Sequence, residues 1–139
     1  MARSIEERLE ALRETAIRGA RNVRADVASI DEWGEMAELT APAHRDALAA
    51  IGQSLAQNAE RLESGAGGDA LDAVRTTLAE AAQQLQADID RLEALVAEAS
   101  GAQAALDEEA REAFDSLRVW LGNHVDWLEI GIAADDEQR

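Results

Sequence analysis

The sequence predicts an all-α domain, and two observations lead to that prediction. Among 139 residues there are 31 Ala and 15 Leu but only one Pro, one Phe and no Tyr. This composition is rich in helix formers and poor in the residues that favour strands. Apolar residues also recur at spacings of three and four, the periodicity of amphipathic helices. The length is typical of a single domain with one core.

The first half of the chain predicts two long helices joined by an elbow. Ser4 and Glu7 have the spacing of a capping box, so we expect the first helix over about 5–29. Ser29 and Glu32 repeat the box within "SIDEWGE", which predicts a short helix or helical elbow over 30–39, and the second helix follows over about 41–64. The two apolar stripes are Ile5, Leu9, Leu12, Ala16, Gly19 or Ala20, Val23, Val27 and Ile30, and then His44, Leu48, Ile51, Leu55, Ala59 and Leu62.

The second half predicts two further helices. "SGAGGD" at 64–69 is the clearest loop, after which Asp69 can cap the third helix. "SGA" at 100–102 separates the third helix from the fourth. Their stripes run through Leu71, Val74, Leu78, Ala81 or Ala82, Leu85, Ile89, Leu92, Val96 and Ala99, and then Leu106, Ala110, Phe114, Leu117, Leu121, His124 or Val125, Leu128 and Ile132.

These elements predict an up-down four-helix bundle with a short helical elbow between the first two long helices. We expect one domain over 1–134 and a frayed acidic tail over 135–139. The alternative is an extended helical hairpin that completes its bundle only by dimerising.

Charge restricts the possible partners. The chain has 29 acidic residues against 13 basic ones, all Arg, and a formal net charge of -16. Direct nucleic-acid binding is not expected, because it needs a basic surface. A lysine-free acidic chain is explained by a GC-rich genome or by halophilic adaptation, and the alternative is an acidic inhibitor that mimics nucleic acid and blocks a DNA- or RNA-binding protein. With no long apolar run and no leader-like start, we expect a cytoplasmic protein without membrane contact.

Catalytic chemistry is not predicted. The chain has no Cys, and neither the Glu-x-x-His pairs of di-iron bundles nor the His-Glu-x-x-His zinc signature occurs. His44 and His124 both lie on apolar stripes, but an up-down bundle would separate them by roughly 30 Å, too far for paired axial ligands. We therefore expect no catalytic residue, cofactor or metal, and interpret His44 as a polar residue at a helix end.

The segment "WLGNHVDWLEIGI" at 120–132 provides the candidate functional site. At 100° per residue its apolar side chains extend around more of the helix than one buried face requires. We therefore predict an interface in this region. Two alternatives remain, a core covered by the elbow or the N-terminal segment, and a slot for a small aromatic ligand between the two Trp. The predicted interface residues are Val119, Trp120, His124, Trp127 and Ile130.

An arginine cluster on the first helix is the second candidate. Arg18, Arg21 and Arg24 lie in "IRGARNVR", which contains no acidic residue. We expect them to pair with acidic residues on the second or fourth helix, and the alternative is a docking patch for an acidic partner. The function favoured by these features is a non-enzymatic module that binds a protein partner or, as a homodimer, itself.

Overall fold

The protein forms four α-helices. The computed structural model describes residues 4–35, 42–101 and 108–138, but not the side chains of residues 34–35, 42–44, 98–101 and 108–110. In chain order the helices are α1 (Ile5–Glu35), α2 (Pro42–Gly65), α3 (Leu71–Gly101) and α4 (Glu108–Asp136). The predicted all-α fold is confirmed. The first residues of the predicted fourth stripe, Leu106 and Ala110, lie outside the described side chains.

The helices pack as a four-helix bundle. Each helix contacts the next along the chain, α1 closes the bundle against α4, and α1 also contacts α3 across the centre. Within the described ranges no Cα atom of α2 lies within 8 Å of a Cα atom of α4. α1 and α3 are diagonally opposite in the bundle, and both carry small core residues, which permit a short distance between their axes. These residues are Ala16 and Ala20 on α1 and Ala81 and Ala82 on α3.

The core follows the predicted stripes. On α1, α2 and α3 buried residues repeat at alternating spacings of four and three, which is the heptad pattern of helices packed side by side. On α4 the spacings up to Leu128 are also three or four, without strict alternation. The completely buried large side chains include Leu12, Leu55, Leu78, Leu85, Phe114, Leu117, Leu121 and Leu128.

The first helix is longer than predicted. Residues 30–35 continue α1 without a break, whereas the sequence predicts an elbow starting at residue 30. The Ser29 hydroxyl donates to the Ala25 carbonyl inside the helix, so it does not cap a new one. Residues 36–39, the rest of the predicted elbow, lie outside the described residues.

The structure also differs from the prediction at the ends of the bundle. Asp135 lies within α4 and is only 5% exposed, so the predicted tail boundary at 134 falls inside a packed helix. Ile5, which belongs to the predicted first stripe, is 68% exposed. Ile5 lies in the first turn of α1, at the same end of the bundle as the last turn of α4, where Arg8 Nε donates to Asp135.

The connection between α2 and α3 lies where the sequence predicts it, but its capping differs. The Ala70 carbonyl accepts the first hydrogen bond of α3, from the Val74 amide, so Ala70 occupies the N-cap position. The Asp69 carboxylate accepts from Arg13 Nη2 at 3.1 Å. Arg13 Nε also donates to the Gly68 carbonyl at 2.9 Å, which fixes this loop against α1.

Two glycines of α4 lie in opposite environments. A Cβ added at Gly131 would lie 2.6 Å from Thr15 Cγ2 on α1, whereas a Cβ at Gly122 would meet nothing within 4 Å. The absence of a side chain at Gly131 therefore allows α1 and α4 to approach closely. At Gly122 the close packing of the bundle does not require a glycine.

We expect Gly131→Ala to lower the free energy of unfolding by about 1–2 kcal/mol, because the β-branched Thr15 has little freedom to move away. Gly122→Ala is expected to raise it by about 1 kcal/mol, since Ala favours helix over Gly. Urea unfolding of both variants measures the difference. Adding Thr15→Ala to Gly131→Ala should restore most of the loss, and a loss that persists in this double variant would contradict the steric explanation.

Candidate interaction surface

The two Trp of the predicted interface lie between α1 and α4. The rings of Trp120 and Trp33 are stacked, with centroids 5.9 Å apart and planes inclined by 25°. Trp127 Nε1 donates to the Thr15 carbonyl at 3.1 Å, so the indole lies across the backbone of α1. Gly19 lies close by, and a Cβ there would come within 3.0 Å of Leu128 Cδ2, so the glycine leaves room for this core leucine of α4. Both indoles are thus engaged with the first helix, and each remains partly accessible.

His124 faces the same helix. Its Nε2 lies 2.7 Å from Asp26 Oδ2, and the two side chains are 14% and 6% exposed. The distance is short enough for an ion pair, although neither atom has a hydrogen-bond partner at a suitable angle. The imidazole of α4 therefore lies directly against a buried carboxylate of α1.

Val119 and Ile130 are the predicted interface residues that point outward. Their exposed fractions are 55% and 65%. They are eleven residues apart on α4, so at 100° per residue they project within about 20° of the same direction and about 16 Å apart. Asn123 and Asp126, both exposed, lie between them. We define the outer face of α4 as Val119, Gly122, Asn123, Asp126 and Ile130.

The three arginines of the predicted cluster, Arg18, Arg21 and Arg24, lie in three different environments. Arg24 Nε donates to Glu63 on α2 at 2.8 Å, which is the interhelical pairing expected from the sequence. Arg18 pairs with Glu14 of its own helix at 2.8 Å. Arg21 is exposed and has no ion pair with a described residue. Only one of the three therefore connects α1 to another helix.

The α2–α3 interface buries polar residues that the sequence analysis did not identify. Asp88 is completely buried on α3, where its Oδ2 accepts from the Ser54 hydroxyl at 3.0 Å. Gln84 Nε2 donates to the same Ser54 oxygen at 2.9 Å, and Arg91 Nη1 lies 3.6 Å from Asp88 Oδ1. Burial raises the pKa of Asp88 above its ordinary value of 3.8, although Ser54, Arg91 and Gln84 oppose the shift. Ionised Asp88 therefore destabilises the fold.

A cluster of arginines and carboxylates, also not predicted from the sequence, lies at the end of the bundle where α1 and α3 begin and α4 ends. Asp135 accepts from Arg8 Nε at 2.8 Å and from Arg8 Nη2 at 3.1 Å, and Arg75 donates to its second oxygen. Arg75 Nη2 also donates to Asp136 at 2.7 Å. The hydrogen bonds from Arg8, and then those from Arg75, lower the pKa of Asp135 below 3.8. This cluster joins three helices through one carboxylate.

The described parts of the chain contain neither a metal-site arrangement nor a membrane-spanning helix. No group of three or more His, Cys, Asp and Glu side chains there has the arrangement of a metal site. No helix described has the length and apolar character needed to cross a membrane. His44 is part of α2, but its side chain lies outside the description.

Fold and surface together define a class, an acidic four-helix bundle whose α4 is held to α1 by aromatic and ionic contacts and carries two exposed aliphatic side chains on its outer face. No protein-family model, curated protein or solved structure matches the chain.

Proposed function

We propose that the protein is a non-enzymatic helical-bundle module that self-associates as a homodimer through the outer face of α4. The observation that supports this most is the common direction of Val119 and Ile130, which remain exposed although Trp120, His124 and Trp127 of the same helix are engaged with α1. Apolar side chains that a bundle leaves in water gain most from burial against a second apolar surface.

The outer face of α4 is complementary to itself. A two-fold axis passing between residues 124 and 125 would pair α4 with an antiparallel copy, as closed two-fold dimers require. Val119 would then oppose Ile130 of the second copy, and Asn123 would oppose Asp126. The two apolar residues thus meet each other, and the carboxylate meets an amide.

The distribution of charge supports this proposal over nucleic-acid mimicry. Exposed carboxylates occur on all four helices, for example Glu14, Glu60, Glu80 and Asp126. Such a spread is typical of a surface adapted for solubility or salt, whereas mimicry of a phosphate backbone calls for carboxylates aligned on one face. The net charge of -16 also opposes dimerisation at low ionic strength, so the dimer should tighten as salt is added.

We expect Val119→Glu combined with Ile130→Glu to convert a wild-type dimer into a monomer while leaving helicity and cooperative melting unchanged. The reason is that these side chains would stabilise the assembly and contribute little to the core. Sedimentation velocity at several salt concentrations and circular dichroism measure the two effects.

The matched control is Gln83→Glu with Ala87→Glu, which adds the same charge at exposed positions of α3. It should remain dimeric. A monomeric wild type at all concentrations and salts, or equal dissociation of both double variants, would rule out the proposed dimer face.

A further inference from the structure

A groove of about 420 Å³ lies between α1 and α2, away from the outer face of α4. Its floor is apolar and includes Val27, Ile30, Leu48 and Gly52. A Cβ at Gly52 would lie 3.2 Å from Ile30 Cγ2, so the glycine brings α1 close and leaves backbone at the bottom of the groove. The volume lies within the range of small-molecule sites.

Arg45 lines this groove and is the unusual residue of the site. Its Nε is shielded from solvent and has no hydrogen-bond partner. No ion pair joins it to a described residue, even though the chain has more than twice as many acidic as basic residues. The other partly buried arginines among the described residues have acceptors: Asp135 accepts from Arg8 and Arg75, and the Gly68 carbonyl accepts from Arg13.

An arginine that lines an apolar groove and has no carboxylate of the described residues beside it can pair with an anion that enters the groove. A guanidinium donates two parallel hydrogen bonds to a carboxylate, so a ligand carboxylate would satisfy Arg45. The acidic Asp31 also lines the groove, and with the net charge of -16 it favours a singly charged anion over a doubly charged phosphate. The apolar floor favours a ligand with a hydrocarbon body.

We propose that this groove binds an organic monocarboxylate with an apolar chain, of the medium-chain fatty acid type. The carboxylate lies on Arg45, and the chain covers Ile30 and Gly52. This assignment is independent of dimerisation through α4, because none of the groove residues belongs to the outer face of that helix.

The proposal is tested by isothermal titration calorimetry of the full chain with three probes: octanoate, 1-octanol and inorganic phosphate. Octanoate should bind saturably with one site per chain, octanol should bind at least about tenfold more weakly, and phosphate should not bind. Arg45→Gln should weaken octanoate by about tenfold or more and leave octanol unchanged, since it removes the charge-assisted hydrogen bonds. The matched variant Arg61→Gln, at an exposed position of the same helix, should bind octanoate as the wild type does.

Two further measurements separate loss of binding from loss of folding. Arg45→Gln should not lower the thermal midpoint of the ligand-free protein, because no ion pair is lost. Ala49→Trp, which places an indole at the groove, should abolish octanoate binding while helicity is retained. Absence of saturable octanoate binding, equal affinity for octanol, or binding that survives Arg45→Gln would overturn the proposal. Conversion of a wild-type dimer into a monomer by Ala49→Trp would also overturn it, by making a second copy the occupant.

Discussion

Asp135→Ala is expected to lower the free energy of unfolding at pH 7 by about 3 kcal/mol, because it leaves two partly buried arginines without the carboxylate that neutralises them. Arg8 and Arg75 reach Asp135 from the first turns of α1 and α3. Removing Asp135 therefore weakens the contact of α4 with both helices. Urea unfolding followed by circular dichroism measures the change.

The size of this loss should depend on pH. Because the pKa of Asp135 is lower in the folded protein than its ordinary value of 3.8, its contribution is complete above pH 3.8 and is lost as the pH falls through the folded-state pKa. The difference between wild type and Asp135→Ala should therefore shrink in strong acid. A difference that stays constant down to pH 2 would mean that the carboxylate acts through packing and not through its charge.

Asp136→Asn is the matched control for this experiment. The neighbouring carboxylate also accepts from Arg75, but its side chain is 51% exposed. Pairs that water can reach contribute about 0–1 kcal/mol, so this variant should lose much less stability than Asp135→Ala. Equal losses would show that burial of Asp135 is not the reason for its effect.

Asp88→Val combined with Ser54→Ala is expected to raise the free energy of unfolding at pH 7 by about 2 kcal/mol. Replacing buried charged groups by apolar side chains of similar size is often neutral or stabilising by 1–4 kcal/mol. Val and Asp have similar helix propensities. Asp88 is completely buried, its Oδ1 has no hydrogen-bond partner, and Arg91, its nearest cation, is half exposed.

The single variant Ser54→Ala should have the opposite effect. It removes a hydrogen bond to ionised Asp88 and leaves that charge buried, at a cost of about 1.5–3 kcal/mol. If adding Asp88→Val makes the destabilised Ser54→Ala variant more stable than the wild type, the buried charge of Asp88 is the unfavourable group. A double variant that is no more stable than Ser54→Ala would contradict this account.

Lowering the pH should affect the contribution of Asp88 to stability in the direction opposite to that of Asp135. Because the pKa of Asp88 is raised in the folded state, its penalty is present above that pKa and is relieved as the pH falls and the carboxyl is protonated. The advantage of the double variant over wild type should therefore diminish in acid. Comparing urea midpoints at pH 7 and pH 4 measures this trend.

Local periodicity predicted the helices and most of the core because it depends on residues three and four apart. The stripes through Leu12, Leu55, Leu85 and Leu121 are buried as expected. The loop at 64–69 could also be located, since its glycines interrupt the pattern. The continuation of α1 through 30–35 could not be predicted. Ser29 is a residue type that can cap a helix, and whether it does so depends on the backbone conformation of the residues around it.

The polar part of the core was decided only by tertiary structure. Val27, Ala59 and Ile89 belong to the predicted stripes. Their polar neighbours Asp26, Asn58 and Asp88 are nevertheless buried, and Asp26 is more deeply buried than Val27. Continuing the alternation of four and three residues could have found them, but their polarity suggested a solvent-facing position.

Each of these buried polar residues contacts a group on another helix, far away in sequence, which no local pattern encodes. Asp26 faces His124, Ser54 donates to Asp88, and Asn58 donates to the Ala81 carbonyl. The same holds for Trp120 and Trp127, whose contacts with Trp33 and Thr15 exist only once α1 lies beside α4. The sequence by itself determined which residues are apolar, how they repeat and where helices are interrupted. Only the packing of the four helices decided which aromatic and polar side chains are enclosed and which, like Val119 and Ile130, remain in water.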